Sequence, residues 1–210
     1  TYGCQMNEHD SEKMLGVLSK EGYEPARSPE NADLVILNTC AIRAKAEQKF
    51  FSQLGRLRLL KKKRRDMKIA VAGCVAQEEK EKLFRRVPFI DFILGPQNIQ
   101  SLSAAVSGRG PNAMLDENFE LAESEFNTVR QDTVKAWVSI MYGCNNFCSY
   151  CIVPFTRGRE VSRPSSSVLA EIGGLAAGGF REVTLLGQNV NSYRSDIDFI
   201  ENRSDENDCS

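Results

Sequence analysis

At 210 residues, 41% of them hydrophobic and 26% charged, the chain carries enough apolar material for one large globular domain or two small ones. A net charge of -1 at pH 7 excludes a protein that coats nucleic acid by overall charge, and leaves room only for a local basic patch. The single histidine, His9, removes most serine-triad, cysteine–histidine and multi-histidine metal designs, and no apolar run reaches the roughly 18 residues of a transmembrane helix.

Thr1-Tyr2-Gly3 reads as the end of a strand. A helix is expected from about Asp10 or Ser11, with Met14, Leu15 and Leu18 on one face and Gly22 as its C-cap. Ala32 to Asn38 is a short β-branched apolar run, as in a strand covered on both faces. The next helix shows an apolar stripe of Ile42, Ala46, Phe50, Leu54 and Leu57, and ends in the basic run Lys61-Lys62-Lys63-Arg64-Arg65. Lys68 to Ala72 is a predicted strand, Glu78 to Arg86 a helix, Phe89 to Leu94 a strand and Asn98 to Val106 a helix. Residues 109–133 read as a linker. Val134 to Met141 then opens a second unit as a strand. Ser165 to Ala177 follows as a helix broken at Gly173-Gly174, and Glu182 to Leu186 as a further strand. Residues 195–210 are polar and expected to be disordered. The alternation predicts an α/β fold: an open parallel sheet over residues 1–108, the linker, and a second β/α unit over 134–194.

Seven cysteines without a secretory signal point to metal ligands in a reducing compartment rather than to a disulfide framework. Cys144, Cys148 and Cys151 fall within eight residues. Three thiolates on one loop can hold three corners of a cubane iron–sulfur cluster, which usually takes four, and the open iron can bind a small molecule through its amino and carboxylate groups. Cys4, Cys40 and Cys74 each follow a predicted strand, 36 and 34 residues apart. The carboxyl ends of parallel strands line one sheet edge, so these three are expected to meet as a second three-thiolate site. Two other readings stand beside it: small buried hydrophobes, or a zinc site with His9 as the fourth ligand. Cys209 lies in the polar tail and is assigned no role.

The run Gly143-Cys144-Asn145-Asn146-Phe147-Cys148-Ser149-Tyr150-Cys151-Ile152-Val153-Pro154-Phe155-Thr156-Arg157-Gly158-Arg159-Glu160 resembles the radical S-adenosylmethionine (radical SAM) methylthiotransferase family. With Tyr2-Gly3-Cys4-Gln5-Met6-Asn7, Asn38-Thr39-Cys40 and Gly73-Cys74 it is similar to the MiaB type, which modifies isopentenylated adenosine in tRNA. The resemblance covers residues 1 to about 194 and makes 1–108 a methylthiotransferase α/β domain and 134–194 the start of a radical SAM partial β/α barrel.

The resemblance implies two 4Fe-4S clusters and S-adenosylmethionine. Cys144, Cys148 and Cys151 would hold the cluster that binds and reductively splits S-adenosylmethionine; Cys4, Cys40 and Cys74 would hold an auxiliary cluster that delivers sulfur to carbon 2 of the adenine. Gly187, Gln188 and Asn189 stand where such enzymes contact the amino group of S-adenosylmethionine, with a plain turn as the alternative. Arg157 and Arg159 could bind tRNA phosphate or cofactor carboxylate, with solvated arginines on a loop as the alternative, and the Lys61 to Arg65 run either touches tRNA or is a solvated helix end. Further implied are a tRNA substrate, a flavodoxin- or ferredoxin-like electron donor, no membrane, a monomer when full length, and a cytoplasmic location with an organelle as the alternative. The barrel stops after its second strand, so the sequence reads as an incomplete piece, inactive and aggregation-prone alone through its open sheet edge. A sister methylthiotransferase acting on threonylcarbamoyl-adenosine or ribosomal protein S12, and a noncatalytic zinc-binding module, are the competing readings.

Overall fold

The computed structural model describes residues 1–41, 44–108, 110, 112–116 and 128–194, with side chains of 44–47 excepted. The expectations for Ile42, for the Ala46 side chain, for the 195–210 tail and for Cys209 therefore lie outside the described residues.

The first unit is a four-stranded parallel sheet in the order β1 (Leu34–Thr39), β2 (Lys68–Gly73), β3 (Phe92–Leu94), β4 (Ala113–Met114). Strand side chains alternate between faces, and both faces are covered, which is why the strands read as unbroken apolar runs. Ile69 and Val71 meet Phe50, Leu54 and Leu57 of α2 (Ala44–Lys63) on one side. Ala70 and Ala72 face the other side, with Met14 and Leu18 of α1 (Gln5–Lys20) and Leu102 of α5 (Leu102–Val106). Ala113–Met114, inside the segment read as linker, pairs with β3 and extends the sheet past residue 108. Amide groups hold it there: Gln77 Nε2 donates to the Leu115 carbonyl (2.9 Å) and Asn98 Nδ2 to that of Asp116 (2.9 Å).

The helix predicted over 78–86 is two, α3 (Cys74–Glu79) and α4 (Lys82–Arg86), separated at Lys80, whose φ of 51° breaks helical geometry. The segment before α5 is a 3-10 turn, Ile99–Ser101. The basic run is not simply solvated: Lys61 pairs with Asp91 (2.6 Å) and Arg64 with Asp33 (2.6 Å), tying the end of α2 to its neighbours.

The second unit pairs β5 (Lys135–Ser139) with β8 (Glu182–Leu186) in parallel, crossed by α7 (Ser165–Ala177). That helix runs through Gly173-Gly174 without a break. The predicted 134–141 strand divides at Ile140; β6 (Met141–Tyr142) pairs instead with β7 (Val161–Ser162), antiparallel, and so closes the base of the loop that holds Cys144, Cys148 and Cys151. Within that loop lies the single-turn α6 (Val153–Thr156).

α1 starts at Gln5, well before Asp10. Its first turns carry Asn7, His9, Asp10, Glu12 and Lys13, all buried although polar: Asn7 against Asn38 of β1, the other four where the second unit rather than water covers them. Arg130 reaches His9 Nδ1 (3.3 Å) and donates to Glu12 (3.1 Å), to the Trp137 carbonyl (2.6 Å) and to Glu171 of α7 (2.7 Å). Glu171 accepts a second arginine, Arg163 (2.8 Å), and Lys13 Nζ donates to the Tyr142 hydroxyl (2.5 Å). A buried charge is tolerated only with such partners, so hydropathy alone could not have found this end of the helix.

Burial pushes His9 down to about 4 from 6.5; Lys13 and Arg130 add to this, and Glu12 and Asp10 oppose it. Between those two values the unfolded chain binds a proton that the folded chain refuses, so stability held above pH 6.5 is lost as pH falls through the window. Urea denaturation at pH 7 and pH 5 should show this loss in the parent and a smaller one in His9→Gln; equal losses in both would assign the acid sensitivity elsewhere.

Candidate metal centres

Register builds the first cysteine set. Tyr2 bridges Thr39 in parallel; its N–H donates to the Asn38 carbonyl (2.8 Å), and its carbonyl accepts the Cys40 N–H (3.0 Å). Thr39 lies opposite Gly73 of β2. Neighbouring strands stand about 4.8 Å apart, so the residues just past this row, Cys40 and Cys74 one position on and Cys4 two positions on after Gly3, come out side by side at one edge. Cys40 sits in the middle and hydrogen-bonds to both Cys4 and Cys74.

Short polar residues and glycines fix the row. Asn7 Nδ2 donates to Asn38 Oδ1 (3.1 Å), Asn38 Nδ2 donates to the Asn7 carbonyl (2.7 Å) and to Ser11 Oγ (2.9 Å), and both asparagines are buried. A Cβ at Gly3 would lie 2.5 Å from Asn7 Oδ1, and one at Gly73, where φ is 90°, 2.4 Å from Asn38 Oδ1. Only glycine lets the cysteines close on this lattice.

The site favours thiolates. Hydrogen bonding from Cys40, then the backbone N–H groups of Asn7 and Met6 at the start of α1 and the charge of Arg157, hold Cys4 down at about 5 against the opposing effect of burial. Cys74 is held at about 6 by Cys40 first, with Arg157 and the Thr156 hydroxyl adding. Arg157 comes from the second unit: it is buried and pairs with Asp10 of α1 at 2.7 Å. Burial works against its charge, but Asp10 and the Cys74 and Cys4 sulfurs more than offset this, and its affinity for the proton rises above the ordinary. The reading of Arg157 as a contact for tRNA phosphate or cofactor carboxylate is therefore corrected: its partner is Asp10. Arg159 is exposed.

The second set lies between β6 and β7. Gly143, at φ 72°, has no room for a side chain, since a Cβ would stand 1.9 Å from the Arg159 carbonyl oxygen. This approach lets Cys144 N–H donate to the Gly158 carbonyl (3.2 Å). Cys151 N–H turns back on the Cys148 carbonyl (2.9 Å), and Asn145 Oδ1 accepts the Glu160 N–H (3.1 Å). Cys144 is buried, Cys151 half-buried and Cys148 exposed. Later in the same loop, α6 packs on α3, whose first residue is Cys74, and between them lies a cleft of about 450 Å³ lined by Gln77, Lys80, Phe147, Phe155 and Arg159.

Gly187, Gln188 and Asn189 follow β8 at the carboxyl end of the small sheet. Both polar atoms of the Gln188 side chain are buried without a hydrogen-bond partner among the described residues, as is Ser139 Oγ at the adjoining end of β5. Such orphaned groups are costly unless a ligand completes them.

Among the described residues no three Cys, His, Asp or Glu side chains converge tightly enough to hold a single metal ion. A cubane places each thiolate on a different iron and so spaces its ligands more widely. The zinc reading needs its donors around one ion, and the described residues do not bring them together in that way. Sequence reasoning assigned no role of their own to Asn7, Asp10, Asn38, Gln97 and Thr156, and missed the partner of Arg157; the available signal was that all of these but Gln97 stand close in sequence to the cysteines or to the loop that holds them.

An open α/β domain joined to the first β/α unit of a radical SAM domain defines the class, and comparison with known proteins agrees with it. The uncharacterized protein family UPF0004 matches residues 1–95 and the radical SAM superfamily residues 138–208. The tRNA-2-methylthio-N(6)-dimethylallyladenosine synthase of Thermodesulfovibrio yellowstonii is 55% identical over 195 residues, covering 92% of this chain and 45% of that protein. The synthase of the same name from Thermotoga petrophila is 48% identical over 200 residues, covering 94% and 44%. The chain thus spans a little under half the length of the curated relatives it matches. Among solved structures, the radical S-adenosylmethionine methyltransferase TsrM from Kitasatospora setae aligns with a TM-score of 0.53 at 15% identity, over 88% of this chain and 46% of that one, a likeness of fold alone. The chain belongs to the MiaB-type radical SAM methylthiotransferase family. Radical SAM membership implies S-adenosylmethionine and one 4Fe-4S cluster as cofactors.

Replacing Gly143 with Ala should force the loop open, since the left-handed φ alone costs about 1–2 kcal/mol before the contact with Arg159 is counted. Hydrogen–deuterium exchange over residues 143–160 should rise in Gly143→Ala; unchanged exchange would contradict the close approach.

Proposed function

We propose that the protein of which this chain forms part methylthiolates carbon 2 of isopentenylated adenosine next to the anticodon in tRNA. The observation that carries the proposal is the pairing, in one chain, of two cysteine triplets whose surroundings meet: α6, which follows one triplet, packs against α3, which begins with a member of the other. The names of the relatives and the identity to them support the reaction and its acceptor.

Both triplets suit iron–sulfur clusters. Each offers three sulfurs, and the first is already biased toward thiolate. When bound, S-adenosylmethionine and the two clusters supply the radical chemistry and the sulfur that no side-chain acid or base could provide at an aromatic C–H bond. The chain's own residues have the tasks of holding and orienting. Cys144, Cys148 and Cys151 grip one cluster and Cys4, Cys40 and Cys74 the second. Gln188, with its orphaned amide, and the neighbouring Gly187 and Asn189 bind the amino group of S-adenosylmethionine. The fixed row of Asn7 and Asn38 keeps the sulfur-delivering site in place beside the radical site, where orientation lowers the barrier.

The same proposal divides the chain into a first domain of 1–108 completed by the strand Ala113–Met114, a linker over the rest of 109–133 and a radical SAM start at 134–194, and includes a flavodoxin- or ferredoxin-like electron donor, a monomeric full-length enzyme and the cytoplasm as its place. No helix among the described residues is long and apolar enough to cross a membrane.

Two measurements on the whole protein test it. After anaerobic reconstitution it should hold about eight irons with matching acid-labile sulfide, the content of two cubanes. Cys148→Ala should abolish reductive cleavage of S-adenosylmethionine, whereas Cys40→Ala should spare that cleavage and abolish sulfur transfer to tRNA. Equal loss of cleavage in both variants would overturn the division of labour, and bound zinc without sulfide would overturn the enzyme reading.

A further inference from the structure

Thr156-Arg157-Gly158 belongs to the loop of the second cysteine set, yet its contacts are with the first unit. The Thr156 hydroxyl hydrogen-bonds to Cys74. The Arg157 carbonyl accepts Gln97 Nε2 at 2.8 Å, and Gly158, at φ 76°, passes so close to Gln97 that a Cβ would stand 2.5 Å from that nitrogen. The Arg157 guanidinium, 6% exposed, donates to Asp10, 5% exposed, at 2.7 Å. A buried ion pair of this kind is a poor source of net stability, because desolvation of both charges offsets their attraction. Its position is more telling: Arg157 caps the end of α6, which packs on α3 with Cys74 as its first residue, and Asp10 lies on α1, whose N-cap is Cys4.

We propose that Arg157 is an electrostatic positioning residue for the first cysteine set, a permanent cation delivered from the second unit that sets the reduction potential of the iron–sulfur group held by Cys4, Cys40 and Cys74, with Asp10 as its counterweight. The proposal rests on the reading of that triplet as a cluster site. Three thiolates give such a group a net negative charge, and one-electron reduction adds another. A fixed cation in a low-dielectric surrounding stabilises the reduced form, and a fixed anion destabilises it. Because Arg157 follows the other triplet directly in sequence, the first site takes on its working potential only when the second unit is docked.

The test uses the whole protein with Cys144, Cys148 and Cys151 all replaced by Ala, so that iron and sulfide added without oxygen load the first triplet alone. The bound group is reduced by one electron with dithionite in a mediated titration and followed by its paramagnetic signal. Arg157→Gln should move the midpoint to more negative potential, Asp10→Asn to more positive potential, and Arg157→Lys should leave it near that of the parent. Opposite shifts from the two halves of one ion pair are not produced by loosened packing, which would move both variants the same way. If Arg157→Gln does not fold, as judged by circular dichroism and iron content, the other two variants carry the test with the same expected results. Full iron loading with unchanged midpoints, or shifts of the same sign, would overturn the role of Arg157. Failure of the parent to bind iron would instead overturn the cluster reading, and this proposal with it.

Discussion

The polar face of α1 is the constraint on which the arrangement depends. One helix carries three demands at once: its N-terminus carries Cys4, Met14 and Leu18 seal one side of the sheet, and His9, Asp10, Glu12 and Lys13 are buried against the second unit. These polar and charged groups cannot be left dry and unpaired. Removing a partner from a buried pair costs about 3–5 kcal/mol, so Arg130, Glu171, Tyr142 and Arg157 are required for the helix to lie where it does. Docking of the second unit and placement of the first cysteine are therefore one structural event.

From that constraint the chemistry follows. Parallel register sets three cysteines in a row, the asparagine and glycine lattice prevents the row from spreading, and a short antiparallel ladder ties off the loop of the other three. The segment leaving that loop is the part that touches the first site. Two triplets placed separately would need a flexible path between them, whereas here Thr156 and Arg157 remove that freedom. A reaction that joins fragments from two cofactors gains from such fixed geometry.

Much of the fold was legible. Strand runs at Leu34–Thr39 and Lys68–Gly73 and the helix Ser165–Ala177 were marked by β-branched runs and by spacing, and the meeting of Cys4, Cys40 and Cys74 at one sheet edge was marked by their places after successive strands. The rest was hidden for physical reasons. The start of α1 reads as solvated because its polar groups are satisfied by residues more than a hundred positions away. β4 is two residues long and is held by side-chain amides rather than by a hydrophobic pattern. Arg157 looked like a surface cation because nothing local reveals that Asp10 lies 2.7 Å from it. Gly173-Gly174 looked like a helix break, yet α7 passes through them, its backbone hydrogen bonds outweighing the modest cost of glycine.

The central claim is that both cysteine sets belong to one cooperative body. Trp137, the sole tryptophan, reports on the second unit, while Cys40 and Cys74, buried at the sheet edge, report on the first. Urea unfolding followed in parallel by tryptophan fluorescence and by thiol reactivity of Cys40 and Cys74 measures this directly. Superimposable transitions are what the shared α1 interface requires; two separated transitions, with the thiols still protected after Trp137 has changed its signal, would contradict it.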